Sequence, residues 1–282
     1  MTTPTAAPND RAAARERADV RVLAEGALTG LSAVVTGAGS GIGRAAVARL
    51  VELGATVTGI GRHEETLAGT REGLTRPDSY DYRVCDVRDT DAVTAALAEV
   101  ADARGLGLLV NNAGGQFFAP AVDITPGGWR AVLDLNLTSV FHLTRAAYPY
   151  LARSHGSVIN ISLSGVERGG MGMAHSIAAR AGVLGLTRTL ALEWAADGIR
   201  LNCIGPGTVL THALSDEASG HVLGKLVDRA TPMKVPTPVE DVAELVAFLA
   251  SPAGALMTGQ LIQIDGGAHL GQGLHMLPEA YA

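Results

Sequence analysis

Short apolar runs rich in β-branched residues alternate with longer amphipathic stretches from residue 31 onward. A short continuous apolar run is typical of a strand that is buried on both faces, as in a parallel sheet. The runs predict strands at Ser32–Thr36, Thr56–Ile60, Asp81–Cys85, Leu106–Val110, Ser157–Ile161, Arg200–Ile204 and Gln260–Asp265. The longer stretches predict helices at Ile42–Leu53, Glu64–Gly69, Thr90–Arg104, Gly127–Leu151, Ala174–Ala196 and Pro238–Ala250. This alternation predicts an α/β fold with a doubly wound parallel sheet of about seven strands and helices on both faces.

The pattern is interrupted at both ends and once late in the chain. Residues 1–27 are rich in Ala and Arg with acidic residues among them, which indicates an N-terminal extension rather than a targeting peptide. Residues 28–270 form one predicted domain, and residues 271–282 a C-terminal tail. Within the domain, the polar stretch 207–238 follows a late strand, a position typical of a substrate lid.

Composition excludes several classes of protein. Hydrophobic residues make up 47% and charged residues 18%, with a net charge of −6, so no basic field attracts nucleic acid or anionic lipid. No apolar stretch reaches the length of about 18 residues that spans a bilayer, and we expect a cytoplasmic protein. Cys85 and Cys203 each end an apolar run and are expected to be reduced core thiols. The histidines lack the spacing of a metal site, so no metal is predicted.

A glycine-rich segment, TGAGSGIGR at Thr36–Arg44, lies between the first predicted strand and the first helix. Glycines in this spacing allow a tight turn and close approach of the backbone to a pyrophosphate at the helix N-terminus. The residues predicted to contact it are Gly37, Ser40, Gly41, Ile42 and Gly43.

The end of the second strand usually carries an acidic residue that binds the adenosine ribose. Here Gly61 is followed by Arg62. A guanidinium binds a 2′-phosphate with two hydrogen bonds, so NADP(H) is predicted in preference to NAD(H).

Three further segments complete the predicted dinucleotide site. Asp86 could accept a hydrogen bond from the adenine amino group of the cofactor. The small residues of NNAG would let the adenosine half of the cofactor pass close to the backbone. The segment PGTVLT could hold the nicotinamide carboxamide. The residues predicted from these segments are Asp86, Val87, Asn112, Ala113, Gly114, Pro206, Gly207, Val209 and Thr211.

Together, TGAGSGIG, NNAG, Asn136 in LDLNLTSVF, PGTVLT and the late TGQLIQIDGG resemble the short-chain dehydrogenase/reductase superfamily over about residues 28–267. The resemblance implies a single-domain Rossmann fold, a nicotinamide cofactor and a homotetramer or homodimer. Subunits would meet on the two long helices, where Ala178, Ala179 and Gly182 would allow close approach.

The family's catalytic residues are Asn, Ser, Tyr and Lys, and this chain departs from them. The flanking sequence places Ser176 at the tyrosine position, Arg180 at the lysine position and Leu163 at the serine position. Ser162 and Ser164 flank Leu163 and are kept as catalytic candidates, although strand alternation is expected to point them to the opposite face. Of the four family residues, only Asn136 is retained.

The segments NNAGGQF, His175–Gly182 and LALEWA resemble the peroxisomal trans-2-enoyl-CoA reductase branch and the neighbouring 2,4-dienoyl-CoA reductases. That resemblance implies NADPH-dependent reduction of a conjugated C=C bond, with negative charge developing on an enolate oxygen. Ser176 would donate to that oxygen, Asn136 would hold a water or substrate oxygen, and Arg180 would also lie beside the nicotinamide ribose. His175 lies next to Ser176 and histidine side chains commonly transfer protons in catalysis, although a purely structural role is equally compatible with its position.

Other interpretations stay open at this point. The chain could be a ketoreductase that uses another proton donor, a non-redox cyclase, isomerase or dehydratase on the same scaffold, or a non-catalytic binding subunit. The substrate is a small molecule, with a coenzyme A or carrier-protein thioester as one possibility. Its phosphates could meet the cations Arg168, Lys225, Arg229 and Lys234.

Overall fold

A computed structural model describes residues 23–209 and 227–270. Most of the predicted lid, the predicted cofactor residue Thr211, Lys225, the C-terminal tail and the first 22 residues lie outside the described residues. The strands are β1 (Ser32–Thr36), β2 (Thr56–Gly61), β3 (Tyr80–Val84), β4 (Leu108–Asn111), β5 (Ser157–Ile161), β6 (Arg200–Pro206) and β7 (Leu261–Ile264). The main helices are α1 (Gly41–Glu52), α2 (Glu64–Glu72), α3 (Thr90–Arg104), α4 (Pro126–Leu133), α5 (Ser139–Ser154), α6 (Ala174–Glu193) and α7 (Val239–Ala250).

The strands form one parallel sheet in the order β3-β2-β1-β4-β5-β6-β7. Val34 of β1 aligns with Thr58 of β2 on one side and with Leu109 of β4 on the other. The strand order reverses between β1 and β4, which is the place where open α/β sheets bind ligands. The predicted single-domain Rossmann fold, with helices on both faces of a seven-stranded sheet, is confirmed.

Alternate residues of the central strands pack in two separate cores. On β1, Ala33 and Val35 pack with α1 and α7, whereas Val34 packs with α3 and α5. On β4, Val110 belongs to the first of these cores and Leu109 to the second. Each fully buried Val or Leu contributes about 1.5–3 kcal/mol relative to exposure. The inner residues of β1 and β4 are therefore apolar on both faces of the sheet, as the sequence pattern indicates.

Local signals fix some element boundaries better than others. Helix α3 begins and ends as predicted, because Asp89 caps it by accepting from the Ala92 N–H at 3.1 Å and Gly105 follows it with φ +78°. Strands β3 and β4 lie one or two residues away from their predicted bounds, where apolar residues continue into the flanking turns. Leu23 and Ala27, assigned by prediction to the extension, pack against the first core.

The long helix predicted over Gly127–Leu151 is interrupted. A π-helical turn at Asp134–Thr138 separates α4 from α5 and contains Asn136. The Asn136 side chain donates to the carbonyl oxygens of Val132 and Gly115, both at 2.8 Å. A side chain that bonds a carbonyl of the preceding turn accounts for the wider turn, and such turns are frequent at functional sites.

Two of the small residues that were predicted to lie between subunits pack inside this chain instead. Ala179 has no exposed surface, and a Cβ on Gly182 would lie 2.9 Å from Leu137 Cδ2. Their small size lets α6 approach the sheet and the π turn. None of the described helices combines the length and the apolar character that crossing a membrane requires.

Candidate active site

A cavity of about 470 Å³ lies at the carboxyl ends of the strands, next to the reversal between β1 and β4. The described residues that line it are Gly37, Gly39, Ser40, Gly41, Ile42, Gly61, Arg62, His63, Thr66, Cys85, Asp86, Val87, Asn112, Ala113, Gly114, Gly115, Gln116, Leu135, Ile161, Ser162, Arg180, Pro206 and Val209. Every described residue predicted to bind the cofactor is among them except Gly43 and Gly207. The predicted dinucleotide residues therefore surround one cavity.

The glycine-rich loop is shaped by backbone geometry that other residues resist. Gly37 and Gly41 have φ values of +66° and +50°. Gly43 lies behind the loop, where an added Cβ would meet the Gly37 carbonyl oxygen at 2.2 Å. The Ser40 hydroxyl makes no capping bond to α1, so it and the first N–H groups of that helix are positioned for a phosphate. The cradle therefore fits a pyrophosphate.

Asn112 and Thr36 hold the loop against β4. Asn112 Nδ2 donates to the carbonyl oxygen of Thr36 at 2.9 Å, and the Thr36 hydroxyl accepts from the N–H groups of Asn112 and Ala113 at 3.0 and 2.9 Å. The Asn112 amide nitrogen is thus used within the protein. Asn112 therefore fixes the glycine-rich loop and also lines the cavity.

The end of the cavity that is predicted to hold the adenosine carries a cation and an ion pair. Arg62 is exposed, lines the cavity and forms no hydrogen bond with another described residue. Asp86 lines the same end, but Arg88 donates to both of its carboxylate oxygens, with the shortest contact at 2.6 Å. These bonds from Arg88, together with its charge and that of Arg62, lower the pKa of Asp86 to about 2. Asp86 is therefore ionised and already partly used as an acceptor.

On the opposite side, the segment after β6 lies against β7. The Gly207 N–H donates to the Ile264 carbonyl oxygen at 3.1 Å, and a Cβ on Gly207 would meet Asp265 Cα at 2.9 Å. Gly207 thus fits here by its small size, while Pro206 and Val209 line the cavity.

The reaction end is built from Arg180, Ser176 and Gln116. Arg180 Nη1 donates to Ser176 Oγ at 2.6 Å, as expected for residues one turn apart on α6. Ser176 Oγ in turn donates to Gln116 Oε1 at 2.5 Å, and Arg180 Nη1 lies 3.5 Å from the same oxygen. Two donors therefore converge on one carbonyl oxygen.

Arg180 has no carboxylate partner within residues 23–209 and 227–270. Desolvation lowers the pKa of its guanidinium to about 10, so it keeps its charge at neutral pH. A Cβ on Gly114 would lie 3.2 Å from Arg180 Nη2 and 2.8 Å from Asn136 Oδ1. The Arg180 guanidinium thus lies against the NNAG loop, between the cavity residues predicted to bind the cofactor and the residues Ser176 and Gln116.

Asn136 has a different role from the predicted one. Both of its amide hydrogens are used by the carbonyl oxygens of Val132 and Gly115, and its Oδ1 accepts from the Gly115 N–H at 3.1 Å. It is 4% exposed and does not line the cavity. Asn136 therefore clamps the loop after β4 and has no free N–H for a water or substrate oxygen.

His175 is buried away from the cavity. It has no exposed surface, its Nδ1 accepts from the Ser176 N–H at 2.8 Å, and its ring packs edge-on with Phe117 at 4.2 Å between centroids. Adjacent helix residues point about 100° apart, so His175 and Ser176 face different neighbours. The structure places this predicted catalytic candidate in a packing position.

The prediction that Ser162 faces away from the site is wrong. Ser162 lines the cavity, with its hydroxyl buried and unpaired among the described residues, whereas Leu163 packs against Val166 and Val183. The reason is that the cavity lies at the carboxyl end of β5, where the consecutive residues Ile161 and Ser162 both line it, so strand alternation does not decide which of them faces the site. Ser164 is not among the lining residues.

Two residues near the site escaped sequence reasoning. Gln116 follows the NNAG motif by two positions, and Arg88 follows Asp86 by two positions. The i, i+2 spacing of Asp86 and Arg88 was a usable signal, because an Asp side chain in a turn often accepts from the backbone N–H two residues on, as Asp86 does from Arg88 at 2.9 Å. Nothing local signals the contact of Gln116 with Ser176, since 60 residues separate them.

Comparisons with known proteins agree with this architecture. The family model described as "Enoyl-(Acyl carrier protein) reductase" matches residues 37–269. A "Probable 2,4-dienoyl-CoA reductase" of Bacillus subtilis is 34% identical over 247 residues, which cover 84% of this chain and 96% of that protein. The 3-oxoacyl-acyl-carrier-protein reductase FabG of Thermotoga maritima is 35% identical over 248 residues, covering 85% and 98% respectively.

A solved structure shows the same arrangement of elements. A short chain dehydrogenase from Bacillus anthracis superposes with a TM-score of 0.79 at 31% identity, covering 87% of this chain and 99% of that one. With the matched glycine-rich loop and the parallel sheet, these similarities place the chain among the oxidoreductases of the short-chain dehydrogenase/reductase family, whose members use a nicotinamide cofactor.

Proposed function

We propose that this protein is an NADPH-dependent reductase of a conjugated C=C bond in a coenzyme A or carrier-protein thioester. The observation that carries the proposal is the pair of hydrogen-bond donors, Ser176 and Arg180, that converge on one carbonyl oxygen. No tyrosine lines the cavity among the described residues. The site therefore offers stabilisation of negative charge rather than an acidic phenol.

The donors suit charge that develops on a delocalised oxygen. NADPH held by the glycine-rich loop and Arg62 would supply a hydride to the β-carbon of the alkene. The electron pair of the alkene would move to the thioester oxygen as an enolate, and a proton taken up from solvent at the α-carbon would complete the reduction. Fixed donors aimed at such an oxygen are worth about 10² to 10³ in turnover each. Arg180 is well placed for this role, because its charge is not neutralised by a described carboxylate.

Arg62 supports the preference for NADPH. Gly61 removes the carboxylate that would repel a 2′-phosphate, and the free guanidinium of Arg62 lies at the same end of the cavity. A charge-assisted hydrogen bond of this kind contributes about 1.5–3 kcal/mol.

The names of the relatives favour acyl thioesters as substrates, since one is a dienoyl-CoA reductase and another a 3-oxoacyl-carrier-protein reductase. The second name makes reduction of a 3-oxoacyl thioester the main competing activity. That reaction yields a strongly basic alkoxide that needs an acid, and serine and arginine are poor acids near neutral pH.

A direct test compares two substrates of equal chain length. Loss of reduced-nicotinamide absorbance is followed with NADPH and crotonyl-CoA, and then with acetoacetyl-CoA, and the products are identified by mass. Oxidation of NADPH with formation of butyryl-CoA supports the proposal. Activity on acetoacetyl-CoA alone would show that the protein is a ketoreductase, and activity on neither would exclude both short-chain acyl substrates.

We also propose that the protein forms a homotetramer or homodimer. Large apolar side chains on the helices after β4 and β5 stay exposed in one chain: Trp129, Phe141 and Leu192 are 39%, 41% and 82% exposed. Light scattering at micromolar concentration tests this, and a monomer mass would contradict it.

A further inference from the structure

The Gln116 side chain separates Ser176 from the cavity. Ser176 has no exposed surface, whereas Gln116 is exposed and lines the cavity. Gln116 Oε1 accepts the hydrogen bond from Ser176 Oγ at 2.5 Å. A ligand in the cavity can therefore reach the Ser176 hydroxyl only if the Gln116 side chain moves.

We propose that the carboxamide oxygen of Gln116 holds the binding position of the substrate's carbonyl oxygen, and that the substrate displaces it. This inference rests on the proposed function for the identity of the substrate, but the position itself is defined by the two donors.

The chemistry of the carboxamide supports this assignment. A primary amide and a thioester both present a planar C=O group with an acceptor oxygen in the plane. Ser176 and Arg180 approach the Gln116 oxygen as two donors, as they would approach a thioester or its enolate. Meanwhile the Gln116 oxygen satisfies the buried Ser176 hydroxyl, which would otherwise be desolvated without an acceptor.

The displacement needs little rearrangement. At the other end of the carboxamide, the one hydrogen bond that Gln116 Nε2 donates within the described part of the chain goes to the Met173 sulfur at 3.4 Å, and a thioether is a weak acceptor. The preceding residue, Gly115, is held on both backbone groups by Asn136. The exposed side chain can thus rotate toward solvent while the loop keeps its place.

A binding position that the protein's own Gln116 side chain occupies is expected to bind the ligand with a lower apparent affinity. The apparent affinity is lowered by the fraction of molecules in which the position is free. Gln116→Met removes the amide oxygen but keeps the length of the side chain. Because a hydrogen bond contributes about 0.5–1.5 kcal/mol net, this variant is expected to bind crotonyl-CoA about 2- to 10-fold more tightly.

The binding test uses protein saturated with NADP⁺, so that no turnover occurs, and calorimetric titration with crotonyl-CoA. Gln116→Glu is expected to weaken binding about tenfold or more, because its carboxylate pairs with Arg180. Gln260→Met, an exposed glutamine outside the cavity lining, serves as the control and is expected to match the wild type. Unchanged or weaker binding in Gln116→Met would overturn the proposal.

A second readout does not depend on the substrate. The NMR signal of the Arg180 Nε–H, assigned by its loss in Arg180→Lys, is expected to shift in Gln116→Ala without any ligand. Acetamide is expected to return it toward the wild-type position in that variant and to leave the wild type unaffected. If the wild type neither binds nor reduces crotonyl-CoA, the proposed function fails for that substrate, and the acetamide result alone decides on Gln116. No response of the Arg180 signal to Gln116→Ala or to acetamide would overturn the assignment.

Discussion

The two halves of the cavity are built by different means. The cofactor half consists mainly of backbone: the positive-φ glycines Gly37 and Gly41, the tight contact at Gly43 and the N-terminus of α1. The reaction half consists of side chains that meet across the fold, with Gln116 from the loop after β4 and Ser176 and Arg180 from α6. A backbone-built site requires small residues at fixed spacing, whereas a side-chain-built site requires particular functional groups.

This difference predicts how each half tolerates change. In the cofactor half, added volume is expected to be the damaging event, because a pyrophosphate there would be bound largely by main-chain N–H groups. In the reaction half, loss of one donor is damaging even if the shape is retained, because preorganised donors act on developing charge.

The largest expected effect lies at Arg180, where the two halves meet. Arg180→Ala is expected to lower kcat by about 10²- to 10³-fold, since one preorganised donor is lost, and to weaken NADPH binding as well. Steady-state kinetics and separate NADPH titrations measure the two effects. Arg188→Ala is the control, because Arg188 lies on the same helix and pairs with Glu167 at the surface. Intact NADPH binding in Arg180→Ala would confine this residue to the reaction half.

The next effect concerns Arg62, whose side chain is expected to set the preference for NADPH over NADH in the cofactor half. Arg62→Asp is expected to cost NADPH about 1.5–3 kcal/mol of binding free energy and to reverse the preference toward NADH. Arg71→Asp makes the same charge change on α2, outside the cavity lining, and is expected to leave both dissociation constants unchanged. Equal binding of NADPH and NADH by the wild type would contradict the assignment of Arg62.

Alanine substitutions of Gly43 in the cofactor half and of Gly185 on α6, which serves as the control, test the importance of added volume. A Cβ on Gly43 would meet the Gly37 carbonyl oxygen at 2.2 Å, whereas a Cβ on Gly185 would meet nothing within 4 Å. Gly43→Ala is expected to destabilise the protein by about 1–3 kcal/mol, as overpacking does, and to weaken NADPH binding. Gly185→Ala is expected to be neutral or stabilising by up to about 1 kcal/mol, because alanine favours the helix. Urea unfolding of both variants measures this, and equal stabilities would show that the loop adjusts.

The smallest effect is pH-dependent and concerns the ion pair at the adenosine end. The pKa of Asp86 is lowered to about 2 in the folded protein by Arg88. A lowered carboxyl pKa adds stability above its ordinary value of 3.8, and that stability is lost as the pH falls toward 2. Because both side chains are partly exposed, Arg88→Ala is expected to cost less than about 1 kcal/mol at pH 7.

Urea unfolding at pH 7 and at the lowest pH where the protein stays folded checks this effect. The difference between the wild type and Arg88→Ala is expected to shrink on acidification. A difference that grows as the pH falls would have the wrong sign for a lowered Asp86 pKa.

The sequence by itself determined the parts of this protein that are encoded locally. Apolar runs identified the seven strands, Asp89 and Gly105 marked the ends of α3, and the spacing of Gly37, Gly41 and Gly43 located the glycine-rich turn between β1 and α1. Such features depend on residues within a few positions of one another, so their patterns are visible in one chain.

Only the tertiary structure decided which chemistry-bearing side chains meet. It placed Gln116 over Ser176 across 60 residues of sequence, turned the Asn136 amide to the backbone of Gly115, and buried His175 against Phe117. These contacts depend on how α6 and the π turn pack on the sheet, and no local pattern encodes that packing. For this reason most of the residues predicted to bind the cofactor lie around one cavity, whereas the contacts among Gln116, Ser176 and Arg180 were not predicted.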